Sequence, residues 1–262
     1  MHVARKRFGQ HFLHDPLVIA RIVNAINPQP DDRMVEIGPG LGAITMPLLQ
    51  RLVHLSAVEI DRDAIAHLQK ITTAHGSRHG QLQIHEGDVL EFNFGSLRID
   101  SRPLRVVGNL PYNISTPLLF RLIEQRQLLG DMHFMLQKEV VDRMAAAAGD
   151  ENYGRLSVML APWLRIEPLF DIGAGAFRPP PRVTSTFVRL MPHPAPPFPL
   201  ENPARFATVV AAAFSQRRKT LRNALKSLLT AEQIQQAGVD PAARAEVIAP
   251  AQFAALASLA AR

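Results

Sequence analysis

Cysteine is absent from all 262 residues. That excludes disulfide staples, thiolate metal sites and cysteine nucleophiles, though it assigns no compartment by itself. No uninterrupted apolar run is long enough to cross a membrane, and no early apolar stretch reads as a secretion signal. A cytoplasmic protein with no membrane partner and no metal is therefore expected. Acids are scarce in one region. Between Ile172 and Ala231 the only one is Glu201, while Arg178, Arg182, Arg189, Arg205, Arg217, Arg218, Lys219, Arg222 and Lys226 all fall there. A solvated helix face usually mixes signs, so a one-signed region points to a polyanion partner. The overall charge of +6 would be weak evidence for nucleic acid without that distribution.

What is present begins with Val35-Glu36-Ile37-Gly38-Pro39-Gly40-Leu41-Gly42. Apolar residues lead into a glycine turn, and Ala43-Ile44-Thr45 open a helix, as in the first half of a nucleotide-binding βαβ unit. Val53 to Ile60 reads as the next strand and ends in Glu59 and Asp61, about 20 residues beyond the turn, where an acid can meet a ribose. Gly38, Gly40 and Gly42 alternate, whereas a dinucleotide loop places its third glycine three positions after the second. That departure disfavours a pyrophosphate. Glu36, unless it is simply a polar strand end, suits the cationic sulfonium of S-adenosylmethionine.

Further strands are expected at Leu82–His85, Leu104–Gly108, Met132–Leu136, Arg165–Ile172 and Thr184–Leu190, the last two as an antiparallel pair at the sheet edge. Helices are expected between them. The fold class expected is α/β: an open, mostly parallel, Rossmann-like sheet with a small all-helical C-terminal domain. A proline-rich passage from Met191 to Pro203 marks the boundary, giving domains 1–195 and 196–262. The length allows one substantial core and a small second domain. Asp88 stands where a carboxylate can accept from an adenine amine, or merely caps the following turn. The basic arm Arg5-Lys6-Arg7 can touch phosphate or be an ordinary solvated terminus. In the tail, Arg218, Arg222 and Lys226 recur every four residues, which would place them on one helix face.

Asn109-Leu110-Pro111-Tyr112 carries the chemistry. An adenine N6 amine needs acceptors, and the Asn109 side-chain oxygen and Leu110 carbonyl supply them. Pro111 restricts the backbone before it, and Tyr112 can stack on a purine. The same four residues also suit an ordinary turn with a packed tyrosine.

Taken together the sequence resembles the ribosomal RNA adenine N6,N6-dimethyltransferase family over nearly its full length. The matching pieces are Phe8-Gly9-Gln10-His11-Phe12-Leu13, the turn from Glu36 to Gly42, Glu59-Ile60-Asp61, Gly87-Asp88, Gly108 to Ser115, Phe177 to Val183 and Phe214 to Leu221. His11 departs from the asparagine usual there. The resemblance implies that Gly38, Gly40 and Gly42 shape the S-adenosylmethionine loop, with Glu36 beside it, Glu59 on the ribose and Asp88 on the adenine. Gln10, His11 and Leu13 would close that pocket, with Asn109 at its edge. Asn109, Leu110, Pro111 and Tyr112 would form the target-adenine site, with Phe177 as a second aromatic contact. Arg5, Lys6, Arg7, Arg217, Arg218, Lys219, Arg222 and Lys226 would bind RNA. The implied reaction dimethylates two adjacent adenosines near the 3′ end of small-subunit ribosomal RNA, within an immature small subunit, by a monomeric enzyme. Transfer would be direct, with no general base assigned. A large-subunit adenine N6-methyltransferase is the alternative enzyme, and a noncatalytic assembly factor on a methyltransferase scaffold the alternative class.

Overall fold

The computed structural model describes residues 11–75, 80–216 and 218–260. The chain divides into two units, 1–138 with 167–192 and 139–166 with 193–262. The residues from Glu139 to Ile166 thus belong with the tail, in place of the single boundary expected near residue 195. The reason is packing. Tyr153 and Val158 share a core with Phe206, Val209, Leu221, Ile234 and Phe253, and the Tyr153 hydroxyl donates to the Ile248 carbonyl at 2.7 Å.

The first unit starts with strand β1 (Phe12–Leu13) and helix α1 (Pro16–Ile26). Asp15 caps α1 by accepting from the Leu17 and Val18 amides, and Pro16 occupies its first turn, where no N–H is needed. The helix stops at Asn27, whose left-handed backbone (φ 48°) turns the chain before Pro28. Ile22, Val23 and Ile26 face the core.

Strands β2 (Arg33–Ile37), β3 (His54–Glu59), β4 (Gln81–Glu86), β5 (Leu104–Asn109) and β6 (Leu129–Gln137) pair in parallel in the order β4-β3-β2-β5-β6. Val35, Ile37, Ala57, Val58, Val106 and Val107 are all buried, as strands covered on both faces require. Helix α2 (Thr45–Leu49) follows β2 and α3 (Arg62–His75) follows β3. The sheet continues through β9 (Ser185–Pro192), antiparallel to β6, to β7 (Leu164–Ile172) at the edge. The fold class read from the sequence is therefore present, with the two late strands at the sheet edge and β9 antiparallel to β6. Strand β8 (Phe177–Arg178) lies outside this sheet and pairs with β1, Leu13 opposite Phe177.

Chain order reverses at β2: the strands that follow it run outward to β4, and β5 then returns to its other side. In an open α/β sheet the crevice at the carboxyl ends of the two strands flanking such a switch receives the ligand. Here β2 ends at Ile37, whose register partner Gly108 comes just before Asn109 at the end of β5. Close approach of the strands leaves no room at Gly108, where a Cβ would sit 2.6 Å from the Ile37 carbonyl oxygen. At the opposite end, Arg105 bonds Asp32, Asp131 and the Ile26 carbonyl, tying β5 to β6 and to the end of α1.

The second unit is helical: α6 (Arg155–Leu160), α7 (Pro203–Phe214), α8 (Leu221–Ala224), α9 (Ala231–Gln236) and α10 (Pro250–Leu259), with α5 (Lys138–Ala145) leading into it. No single helix carries Arg218, Arg222 and Lys226 as their spacing led one to expect. Beyond Phe214 the chain turns, and the amides of Leu221 and Arg222 bond the carbonyls of Ala243 and Pro241 instead of continuing a helix. No described helix is long and apolar enough to cross a membrane.

Candidate active site

The switch point opens into a cavity of about 260 Å³. Gly38 and Gly40 of the glycine turn line its floor, whereas Gly42, expected beside them, lies against Leu68 and Ile71 outside the lining; all three have positive φ (62°, 54° and 84°), which side-chain-bearing residues rarely adopt. The turn is held from two sides. Glu59 accepts from the Gly40 amide at 3.1 Å and from the amides of Ile60 and Asp61 at 2.9 Å, while the Phe12 ring lies where a Cβ on Gly40 would meet it at 3.2 Å.

Three carboxylates line the cavity, Glu36, Glu59 and Asp88, and no lysine or arginine does among the described residues. Glu36 is 2 % exposed, and its Oε2 has no hydrogen-bond partner. Burial pushes its pKa up to about 8; the Thr45 hydroxyl counters part of that, and the Glu59 charge adds to it. Glu59 is also raised by burial, against the lowering effect of its three backbone donors. Such a site favours a cation and repels phosphate. Asp88 combines both readings of its sequence position, since Oδ1 accepts from the Leu90 amide while the residue lines the cavity. Ile60 and Val89, each directly after one of these acids, supply apolar wall. Sequence reasoning missed both; their adjacency to the strand-end acids was the available signal.

Residues Asn109 to Tyr112 form the adjoining wall. The loop is a closed turn: the Ile114 amide bonds the Pro111 carbonyl, and the Ser115 hydroxyl donates to the Tyr112 carbonyl at 3.1 Å. Ser115 thus closes the loop rather than capping the helix α4 (Ser115–Glu124) that follows. Asn109 Nδ2 donates to the His11 carbonyl at 2.9 Å, and the Tyr112 hydroxyl bonds Ser185 Oγ at 2.9 Å. Ser185 is a partner the linear motif could not reveal, because it arrives from β9.

Other expected positions differ. Phe177 does not line the cavity. It is 2 % exposed and packs in the core with Leu13 and Phe187, because its pairing with Leu13 turns it inward. A face-on contact with a base is not available to it in this arrangement. Leu13 reaches the cavity from β1, and His11 lies on its Tyr112 side. Arg218 and Lys226 occupy turns on either side of the four-residue α8, which holds only Arg222, so the three cations share no helix face. Arg218, Lys219, Arg222 and Lys226 are all exposed. Gln10, Arg5, Lys6, Arg7 and Arg217 lie outside the described residues.

A family model described as ribosomal RNA adenine dimethylase matches residues 1–262. The chain belongs to the ribosomal RNA adenine dimethylase family. Among its relatives is a ribosomal RNA small subunit methyltransferase A from Marinobacter nauticus, 52% identical over 258 residues, covering 98% of this chain and 92% of that one. A solved dimethyladenosine transferase from Plasmodium falciparum superposes with a TM-score of 0.75 at 26% identity, over 94% of this chain and 96% of that one. The 23S rRNA methyltransferase ErmE matches with a TM-score of 0.72 at 24% identity, over 95% and 98%, which is a likeness of fold alone. Membership in the dimethylase family makes the protein a methyltransferase enzyme and gives its two-unit architecture a catalytic context.

Proposed function

We propose that this protein binds S-adenosylmethionine in the switch-point cavity and methylates N6 of two adjacent adenosines near the 3′ end of small-subunit ribosomal RNA, to the dimethyl stage. The observation that carries the cofactor is the set of three carboxylates, one with a buried unpartnered oxygen, around a glycine turn with no lysine or arginine in the cavity lining among the described residues. Glu36 would face the positive charge, Glu59 the ribose hydroxyls and Asp88 the adenine, with Ile60 and Val89 against its ring. When bound, S-adenosylmethionine supplies a methyl group already activated by its sulfonium.

The protein's own contribution is orientation. The Asn109 oxygen and the Leu110 carbonyl accept from the target amine, so that its lone pair points across the cavity, and Tyr112 holds the ring. The nitrogen becomes cationic as it attacks, and its proton leaves afterwards to solvent. The first product keeps one N6 hydrogen and can react again. The small-subunit assignment draws on relatives of that name, two of them 52% and 54% identical over nearly the whole chain. The partner is an immature small subunit, met in the cytoplasm by a monomer, with exposed cations of the helical unit on the phosphate backbone.

Incubation with labelled cofactor and purified immature small or large subunits tests the assignment. Label on the small subunit is expected; label confined to the large subunit would overturn it.

A further inference from the structure

Tyr112 sits on a turn whose backbone is closed twice, by the Ile114 amide on the Pro111 carbonyl and by the Ser115 hydroxyl on the Tyr112 carbonyl. Neither bond reaches the ring. Two side-chain torsions remain, and the one that sets the ring plane has a broad profile. The hydroxyl at the ring's tip supplies the restraint. It lies 2.9 Å from Ser185 Oγ, the one hydrogen bond of that side chain among the described residues. We propose that Ser185 is a positioning residue for methyl transfer, setting the plane of the Tyr112 ring on which the target adenine lies. This rests on the reading of Asn109 to Tyr112 as the target-adenine site.

Ser185 reaches this edge because its strand runs backwards. The parallel strands, β6 included, bring their last residues to the ligand edge of the sheet. Strand β9 is antiparallel to β6 and so brings its first residue there, Ser185 opposite Gln137 at the end of β6. It is held firmly on both sides. The Lys138 amide donates to the Thr184 carbonyl at 2.9 Å just before it, and Thr186 Oγ1 donates to Asp171 Oδ1 at 2.7 Å just after it. Ser185 is 1 % exposed and does not line the cavity, so it acts on a base only through Tyr112, which does. A buried hydroxyl calls for a partner, and the phenol is the one it has. A side chain carried by a loop is thus fastened at its tip to the sheet, which holds a stacking surface more tightly than the loop would alone. A ring ordered before the base arrives need not be ordered during transfer.

The test is a double-mutant cycle of wild type, Ser185→Ala, Tyr112→Phe and the pair, assayed for methyl transfer at saturating cofactor and immature small subunit. Cofactor affinity is measured separately by calorimetry. Each single variant should lose about threefold to tenfold in kcat, the worth of one hydrogen bond. Cofactor Kd should stay within about twofold, because only orientation of the acceptor base is disturbed. The pair should lose no more than either single variant, since both delete the same bond. Losses that multiply in the pair would show that Ser185 acts by some route other than the Tyr112 hydroxyl. An unchanged kcat in Ser185→Ala would show that the ring needs no anchor. Either result overturns the inference. Should Ser185→Ala fail to fold, Tyr112→Phe deletes the bond without touching the sheet, and an unchanged kcat there overturns the inference equally. Transfer by wild type in the same assay tests the underlying reading, so an indifferent Ser185 in a working enzyme counts against this inference alone.

Discussion

The sheet unit and the helical unit translate sequence into space differently. In the first, Glu36, Glu59, Asp88 and Asn109 lie far apart along the chain, yet parallel register brings them to one cavity. Each strand delivers its last residues to the same edge, so a motif at a strand end is a motif at the site. In the second, Arg218, Arg222 and Lys226 are neighbours in sequence at perfect helical spacing, and they do not share a helix. Periodicity places side chains only while the backbone continues. Here the Leu221 and Arg222 amides leave for Ala243 and Pro241, and the period is lost. The sheet unit accordingly has specific geometry to break, whereas the helical unit has charge to dilute.

The largest effect should come from removing the acceptor at the end of β5. Asn109→Ala is expected to lower kcat by about 100-fold or more, with cofactor and subunit affinity nearly unchanged, because the lost bond matters most when the nucleophile is aligned. Steady-state kinetics with calorimetry checks it; near-normal transfer would show that the strand-end rule had misassigned this side chain.

Glu36→Gln separates binding from stability within the same unit. A carboxyl raised to about 8 favours the folded state below its ordinary value near 4.5 and loses that contribution as pH rises through about 8. The amide cannot ionise, so the cofactor-free variant should gain roughly 1–3 kcal/mol near pH 8 and almost nothing near pH 4. Cofactor affinity should fall by about tenfold, since a neutral amide no longer meets the cation. Denaturant melts across pH and calorimetry measure both. A gain independent of pH would contradict a buried, proton-holding Glu36.

In the helical unit, replacing Arg218, Arg222 and Lys226 with alanine should weaken subunit binding and reduce the slope of log affinity against log salt by about 0.7–0.9 per residue. Cofactor affinity should not change. Because the three share no helix face, single variants should add to the triple. Strong non-additivity would restore a single cationic face, and an unchanged slope would make them ordinary solvated charges.

The smallest effect belongs to His133, buried in β6 beside Phe187 and Asp131. Burial lowers its pKa to about 4, opposed by Asp131 and aided by Arg105 and Arg189. Its contribution to stability is complete above the ordinary value near 6.5 and is lost as pH falls toward 4. His133→Gln should therefore flatten the fall in Tm between those values by a few degrees, on the order of 1 kcal/mol. Parallel acid limbs in the two proteins would contradict this.

How much was legible follows the same division. The glycine turn, the strand-end acids and the Asn109 loop could be read because their spacing matches strand lengths and because positive φ demands glycine. The two-residue pairing that sets Phe177 opposite Leu13 could not be read, and Phe177 is buried where linear order would put its ring at the site. Ser185 and the carbonyl of His11 were invisible for a related reason: they reach Tyr112 and Asn109 through tertiary contacts, one of them through the backbone. The placement of Glu139–Ile166 with the tail was hidden too, since apolar helices can pack against either core.

The central claim is dimethylation of adjacent adenosines by a site built at the ends of parallel strands. Mass spectrometry of nuclease-digested RNA, over a time course with wild-type enzyme and immature small subunits, addresses it most directly. The expected record is monomethyladenosine appearing and then giving way to N6,N6-dimethyladenosine at two neighbouring positions of the small-subunit RNA. Persistent monomethylation, or methylated adenosine at isolated positions only, would contradict it.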